Sequence, residues 1–252
     1  MSTVTVRFYA QLNDFLPRER REVAFTHSFE EAPSIKDLIE SLGVPHTEVR
    51  LILINGAAVD FTYHIQDGDQ INVYPSVFGS DSTPLTDLRL QPQFTSEIRF
   101  ILDVHLGKLA AYLRMLGFDT LYRNDYDDPE LALVSNVEDR VLLTRDLGLL
   151  KRSLVTHGYF VRNTDPGKQL TEVLRQFKLF GLSHLFHRCL QCNTVLESID
   201  KELIGDRLPS RTKLYFHEFR ICRSCDKIFW QGSHYQKMSQ FIERVLADEA
   251  AP

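Results

Sequence analysis

The sequence lacks any apolar run long enough to cross a membrane. Leu51-Ile52-Leu53-Ile54 is among the longest, against the ~18 residues that a span needs. It opens Met1-Ser2-Thr3-Val4-Thr5-Val6-Arg7, without the apolar stretch of a signal peptide, so the cytoplasm is the expected compartment. Twelve Gly and ten Pro in 252 residues are too few for a collagen-like or low-complexity chain. Neither G-x-G-x-x-G nor G-x-x-x-x-G-K-S/T occurs, which removes the two usual glycine-rich phosphate cradles. No block of one charge stands out either. Residues 1–80 carry 6 basic and 11 acidic residues, 97–180 carry 12 of each, and 181–252 carry 10 and 9. The net −5 therefore sits in the first third, and the remainder permits local basic patches without being a basic nucleic-acid-binding domain. The composition, 43% hydrophobic and 25% charged, is that of an ordinary globular protein with one large domain or two to three small ones.

Residues 79–96 are rich in Gly, Ser, Thr, Asp and Pro and read as a linker. Before them, Val4, Val6 and Phe8 alternate with polar residues as in a half-buried strand, with Glu22 to Phe25 as its expected hairpin partner. Ser34 stands as an N-cap three residues before Asp37, and Ile35, Leu38, Ile39 and Leu42 form a helical stripe that Gly43 ends. Arg50 to Ile54 is an expected strand, Asn55-Gly56 a turn, and Ile71 to Tyr74 a last short strand. The order ββαββ predicts a small α+β domain over 1–78. Through Arg7-Phe8-Tyr9-Ala10-Gln11-Leu12, Ile54-Asn55-Gly56 and Asp67-Gly68-Asp69-Gln70-Ile71 it resembles the ubiquitin-like β-grasp proteins of the MoaD/ThiS sulfur-carrier type. Those carriers act through a C-terminal Gly-Gly. Here the corresponding place reads Phe78-Gly79-Ser80 and the chain continues. A peptide bond in mid-chain cannot become a thiocarboxylate, so the carrier chemistry is expected to be absent.

After the linker, over 97–180, strand and helix patterns alternate. The expected strands are Ile98 to Leu102, Thr120 to Tyr122, Val141 to Leu143 and Tyr159 to Val161. The expected helices run from Leu106 to Leu116, from Asp128-Pro129 (as cap and first-turn proline), from Leu147 to Leu154 and from Pro166 to Phe177. This alternation predicts an α/β domain with a parallel sheet and helices on both faces. Ligands of such sheets bind beyond the carboxyl ends of the strands. An Asp stands at or just past each end: Asp103, Asp125, Asp146 and Asp165, with Asp127 and Asp128 close to Asp125. Gathered at one edge, these carboxylates need cations, and hard oxygen ligands select Mg²⁺ or Mn²⁺. Such ions support phosphodiester hydrolysis. The competing reading of each acid is a helix N-cap.

All four cysteines fall in Cys189-x₂-Cys192 and Cys222-x₂-Cys225. Two such knuckles are what a tetrahedral Cys₄ zinc site needs, whereas disulfides suit a reducing compartment poorly. His187, His217 and His234 lie nearby in sequence, but four sulfurs already complete a zinc shell. Around the knuckles, Arg188, Arg207, Arg211, Lys213, Arg220, Arg223 and Lys227 interleave with Tyr215, Phe219, Phe229 and Trp230. These aromatics would either stack RNA bases or form a small ribbon core. A helix from about Gln236 to Ala247 is expected to follow.

Phe100-Ile101-Leu102-Asp103-Val104-His105-Leu106-Gly107-Lys108-Leu109-Ala110, Tyr112-Leu113-Arg114-Met115-Leu116-Gly117-Phe118-Asp119, Arg140-Val141-Leu142-Leu143-Thr144-Arg145-Asp146 and Gly232-Ser233-His234-Tyr235 resemble the Mut-seven C-terminal RNase family. That family is a PIN-like nuclease branch with a zinc ribbon, often preceded by a ubiquitin-like domain. The resemblance implies metal-dependent RNA cleavage. Its acidic site transfers to Asp103 and Asp146 first, then to Asp165 and the Asp125/Asp128 pair. Lys108, Arg114, Arg145, Lys151 and Arg152 are the candidate RNA-backbone contacts, Arg145 having an ion pair with Asp146 as its alternative.

The expected protein is thus a β-grasp module at 1–78, a linker at 79–96, a PIN-like domain at 97–180 and a Cys₄ zinc ribbon with a C-terminal helix at 185–252. It is expected to act as a ribonuclease with RNA, tRNA among the candidates, as substrate. A protein partner would dock through the β-grasp module. The rival reading is a non-catalytic RNA- or tRNA-binding adaptor whose acids are caps.

Overall fold

The computed structural model describes residues 1–75, 98–182 and 185–247. Its first elements are β1 (Ser2–Phe8), β2 (Phe25–Phe29), α1 (Ile35–Ser41), β3 (Val49–Ile54), β4 (Ala57–Val59) and β5 (Gln70–Pro75). Next come β6 (Phe100–Leu102), α2 (Gly107–Met115), β7 (Thr120–Leu121), α3 (Asp128–Val137), β8 (Val141–Thr144), α4 (Leu147–Leu150), β9 (Gly158–Phe160) and α5 (Pro166–Gln176). The last are β10 (Glu197–Ile199), α6 (Lys201–Ile204), α7 (Ser210–Tyr215), β11 (Phe219–Ile221), β12 (Ile228–Phe229) and α8 (Ser233–Ala247). The linker expected at 79–96 lies outside the described residues. Among the described residues no helix is long and apolar enough to cross a membrane. The chain forms two compact units, Met1–Asp103 with Tyr126–Phe160, and Val104–Asp125 with Val161–Pro252.

The first unit begins with a mixed five-stranded sheet in the order β2-β1-β5-β3-β4, in which β1 and β5 are the parallel pair. Val4, Val6 and Phe8 point to one face of β1 and are buried with Ile35, Leu38 and Ile39 of α1 and with Ile52, Ile71 and Val73. Ser34 caps α1 by accepting from the Asp37 N–H at 3.1 Å. Asn55 and Gly56 both take positive φ, +52° and +86°, and turn β3 into β4 in the two-residue manner that suits strand twist. The short β4 adds a strand to the expected ββαββ order. The partner of β1 is Phe25–Phe29, where Glu22 to Phe25 was expected. Asn13 explains the shift. Its side chain accepts from the Glu22 N–H at 2.7 Å and holds Glu22 in a left-handed turn at φ +60°.

The same unit contains three parallel strands, β6 pairing with β8 and β8 with β9. Every residue of β6 and β8 is buried, as strands covered on both faces must be. β9 is an edge strand of the sheet, and the turn His46–Glu48 of the β-grasp module covers it. The Phe160 N–H donates to Glu48 Oε1 at 2.6 Å, and Phe15 meets Phe160 edge-on at 5.6 Å. Gly158 permits the approach: a Cβ there would lie 2.6 Å from Leu150 Cδ2 and 3.3 Å from Thr47 Cβ. Helix α4 stops at Leu150, short of the expected Leu154. The chain turns instead through Val155 N–H to Arg152 O (3.0 Å), which presents the Val155 carbonyl to His46 Nε2 at 3.0 Å. Tertiary contacts here override helical propensity.

In the second unit α5 packs against both α2 and α8. Leu109, Ala110 and Leu113 of α2 and Leu170, Val173 and Leu174 of α5 are buried, and Tyr112 lies 4.6 Å from the Phe241 ring. Strands β10, β11 and β12 form a small antiparallel sheet. One core gathers Leu196 with the cysteines, and another gathers Ile204, Leu208 and Phe219 against Ile228 and Trp230. Phe219 is therefore a core residue, whereas Tyr215 stands 69% exposed.

Glu48→Ala leaves the Phe160 N–H without its acceptor and is expected to lower stability by ~1–3 kcal/mol. A lower urea midpoint at unchanged slope checks this, and an unchanged midpoint contradicts it.

Candidate acidic site and metal centre

The acidic site begins with the register of β6 and β8. Their parallel pairing sets Leu102 beside Leu143, so the residues just past them, Asp103 and Thr144, meet. Thr144 is fully buried and Asp103 is 4% exposed. The Thr144 hydroxyl donates to Asp103 Oδ2, which also accepts from the Arg145 N–H at 3.1 Å. The same hydroxyl accepts from the Asp146 N–H at 2.9 Å. One buried hydroxyl thus joins the carboxylate of Asp103 to the backbone of Asp146. Asp146 Oδ1 caps α4, accepting from Gly148 N–H at 2.7 Å and Leu149 N–H at 3.4 Å. Its side chain is otherwise exposed, and Oδ2 has no hydrogen-bond partner among the described residues. The sequence motif Leu142-Leu143-Thr144-Arg145-Asp146 contains Thr144, but nothing in its spacing shows that hydroxyl's double role.

The remaining acids each have a local partner. Asp127 caps α3 by accepting from the Glu130 N–H at 2.8 Å, the position expected of Asp128. Asp128 is instead the first helical residue and faces Arg152 at 3.7 Å. The helix starts one residue early, which puts Pro129 at its second position, where the missing N–H still costs no intrahelical bond. In the second unit Asp165 caps α5, accepting from Gly167 and Lys168 N–H at 3.0 Å each. Asp125 is held by Arg123 through two hydrogen bonds, 2.9 and 3.1 Å, and that guanidinium lowers its pKa.

The basic candidates divide as well. Lys108 is exposed on α2. Arg145 lies with its guanidinium 5.9 Å from the Phe160 ring centre. Lys151 donates its ammonium to the Glu40 carbonyl at 2.7 Å, a tie to the β-grasp module rather than a free phosphate contact. Arg114 is 4% exposed, with burial pushing its pKa down, and it spends its donors on backbone carbonyls. Its expected phosphate role is corrected on that ground. A helical position facing the core cannot be told from an outward one by charge alone.

The four sulfurs come together. Among the described residues they are the group of three or more candidate metal ligands, all within 4.8 Å of one another. Cys189 and Cys225 Sγ are 3.6 Å apart, and Cys192 and Cys222 Sγ 3.3 Å. A tetrahedron with ~2.3 Å bonds has edges of about 3.8 Å, so the sulfurs stand near the spacing that one ion imposes. Both knuckles fold alike. Cys189 N–H donates to Thr194 O and Asn193 N–H to Cys189 O, just as Cys222 N–H donates to Lys227 O and Asp226 N–H to Cys222 O. Asn193 and Asp226, each directly after the second cysteine, take positive φ of +70° and +55°. Asn and Asp are the side chains that tolerate that conformation best. Burial pushes the Cys189 thiol up to about 12. At Cys192 burial also opposes ionisation, but the Thr194 hydroxyl and backbone donors outweigh it and bring the thiol down to about 6. Thiolates are the soft ligands that zinc takes, so the donor set fits that metal. Beside the ribbon sheet runs a groove of about 930 Å³, lined among others by Phe186, Lys201, Arg220, Arg223, Trp230 and Tyr235.

A mixed β-grasp sheet, a parallel sheet flanked by helices and a ribbon-like cysteine cluster define the class: a ubiquitin-like module joined to an α/β domain with a Cys₄ centre. The chain belongs to the Mut7-C family, since the model of the Mut7-C RNAse domain matches residues 98–242, more than half of its length. The Mut7-C ubiquitin model matches residues 1–81. Comparison with the curated proteins and with the solved structures gives no match.

Purified chain is expected to carry one equivalent of zinc by elemental analysis, and Cys222→Ser to lose most of it. Full zinc retention in that variant would contradict a four-sulfur centre.

Proposed function

We propose that the chain is a Mg²⁺- or Mn²⁺-dependent ribonuclease, with Asp103 and Asp146 as the principal ligands of the divalent ion. The observation that carries this reading is the shared Thr144 hydroxyl, which ties two acids at adjacent strand ends into one arrangement. The donor set fits the group, because Asp146 Oδ2 is a solvent-facing hard oxygen with no hydrogen-bond partner among the described residues. When bound, the ion supplies activation of water and neutralisation of the leaving oxygen. The chain's own residues do the rest. Thr144 and the Arg145 N–H fix the Asp103 carboxylate, and the cap geometry aims Asp146. Asp165, Asp128 and Asp125 are auxiliary acids in this proposal.

RNA is the substrate that the Mut7-C RNAse match supports. The ribbon groove is proposed to hold unpaired nucleotides, tRNA being one candidate source. There the Phe186 and Tyr235 rings lie 4.0 Å apart beside Arg220 and Arg223. The ubiquitin-like module is the proposed protein-docking element, and the four unbridged thiols suit the cytoplasm. One observation favours the adaptor reading instead: Asp146 and Asp165 each already cap a helix.

The test is cleavage of a mixed pool of labelled single-stranded and structured RNAs with Mn²⁺ or Mg²⁺. Asp146→Asn keeps a good N-cap while removing the charge. It is expected to reduce cleavage roughly a hundredfold or more without lowering the thermal midpoint, since several kcal/mol of transition-state stabilisation go with the ion. Asp103→Asn is expected to do the same at some cost in stability, and Asp125→Asn to change the rate only slightly. RNA binding without cleavage, in the zinc-loaded wild type, moves the conclusion to the adaptor.

A further inference from the structure

Arg114 is a buried cation with no carboxylate at ion-pair distance among the described residues. Its donors all go to carbonyls: Nε to Thr120 O at 2.8 Å, Nη1 to Leu190 O at 3.0 Å and Gln191 O at 2.9 Å, and Nη2 to Tyr122 O at 3.3 Å. Leu190 and Gln191 are the two residues between Cys189 and Cys192. The guanidinium therefore grips the first knuckle from outside its ligand set. A buried charge costs several kcal/mol unless an opposite charge answers it. Neutral thiols cannot do so, whereas four thiolates around one Zn²⁺ carry a net charge of −2.

The neighbouring contacts run the same way. Asn193 accepts from the Thr120 N–H at 3.0 Å and donates to Asp119 Oδ1 at 2.8 Å. Arg188 donates to the Gly117 and Asn193 carbonyls at 3.1 and 3.0 Å, and Phe186 N–H to the Met115 carbonyl at 2.8 Å. The chain leaving α2 is thus tied to the ribbon at several positions, and Arg114 is the cation that reaches the two carbonyls between Cys189 and Cys192.

We propose that Arg114 is the charge partner of the Cys₄ zinc centre, a positioning residue that balances the thiolates and makes the end of α2 depend on the metal. This rests on the reading of the cluster as a zinc site. It gives the Leu113-Arg114-Met115-Leu116-Gly117 motif a metal-supporting purpose in place of RNA contact.

The experiment is chelator competition for zinc with the full chain, comparing wild type, Arg114→Gln and Arg114→Lys. Outer-shell partners of metal ligands are worth about 10–100-fold in affinity. Arg114→Gln is expected to weaken zinc by that factor, and Arg114→Lys to recover much of it by restoring the charge. In cobalt-loaded protein the thiolate-to-metal charge-transfer band is expected to move in the Gln variant and to return in the Lys variant, which lost packing alone would not produce. Wild-type zinc affinity in a folded Arg114→Gln overturns the proposal. If that variant does not fold, hydrogen exchange of the wild type with and without zinc decides. Faster exchange over residues 113–122 on zinc removal supports the coupling, and unchanged protection overturns it. A wild type that takes up no zinc fails the cluster reading itself, a result distinct from zinc uptake that ignores Arg114.

Discussion

A charged or hydrogen-bonding group taken out of water is costly unless a partner within a few ångströms answers it, and that constraint shapes this chain at several points where its elements meet. Asp103 is answered by the Thr144 hydroxyl and the Arg145 N–H. The Phe160 N–H is answered by Glu48, and the Arg114 guanidinium by four carbonyls. None of these buried groups is decorative. Each one fixes the relation between two segments far apart in sequence, and each uses an atom that would destabilise the fold if left alone. Two further groups stand out at the candidate sites. Asp146 Oδ2 faces solvent with no hydrogen-bond partner among the described residues, and the ribbon gathers four sulfurs.

The β-grasp module takes on a structural role through the same constraint. An exposed edge strand offers its N–H and C=O groups to other chains, and proteins commonly cover such edges. Here the turn His46–Glu48 covers β9, while Lys151 reaches the Glu40 carbonyl. A ubiquitin-like fold that in sulfur carriers ends in a reactive tail serves, in this Mut7-C chain, as a cover for the sheet that carries the acids. Lys151 directly follows α4, the helix that Asp146 caps.

Much of this was legible in the sequence, for definable reasons. Period-two and helical patterns located β1, α1, β8 and α5, because each buries one face or both. The C-x₂-C pairs announced the sulfur cluster, since that spacing has few other uses. The places of Asp103 and Asp146 just past strand ends were visible because each closely follows a buried apolar run. What the sequence could not show were side chains whose partners lie far along the chain. Glu48 and Phe160 are 112 positions apart, and Arg114 and Leu190 are 76. Arg114 and Lys151 read as phosphate contacts because a cation's charge is visible in sequence and its direction is not. Asp127 and Asp128 differ by one position, below the precision with which a helix start can be read. The early end of α4 was set by a contact to His46 in another element, which local propensity does not contain.

The central claim is that Asp103 and Asp146, joined through Thr144, bind a divalent ion. Its most direct measurement is Mn²⁺ binding to zinc-loaded protein by electron paramagnetic resonance, in wild type and in Asp103→Asn with Asp146→Asn. The claim predicts saturable Mn²⁺ binding that the double substitution abolishes while the zinc content stays constant. Equal Mn²⁺ binding by both proteins, or none by the wild type, would contradict it.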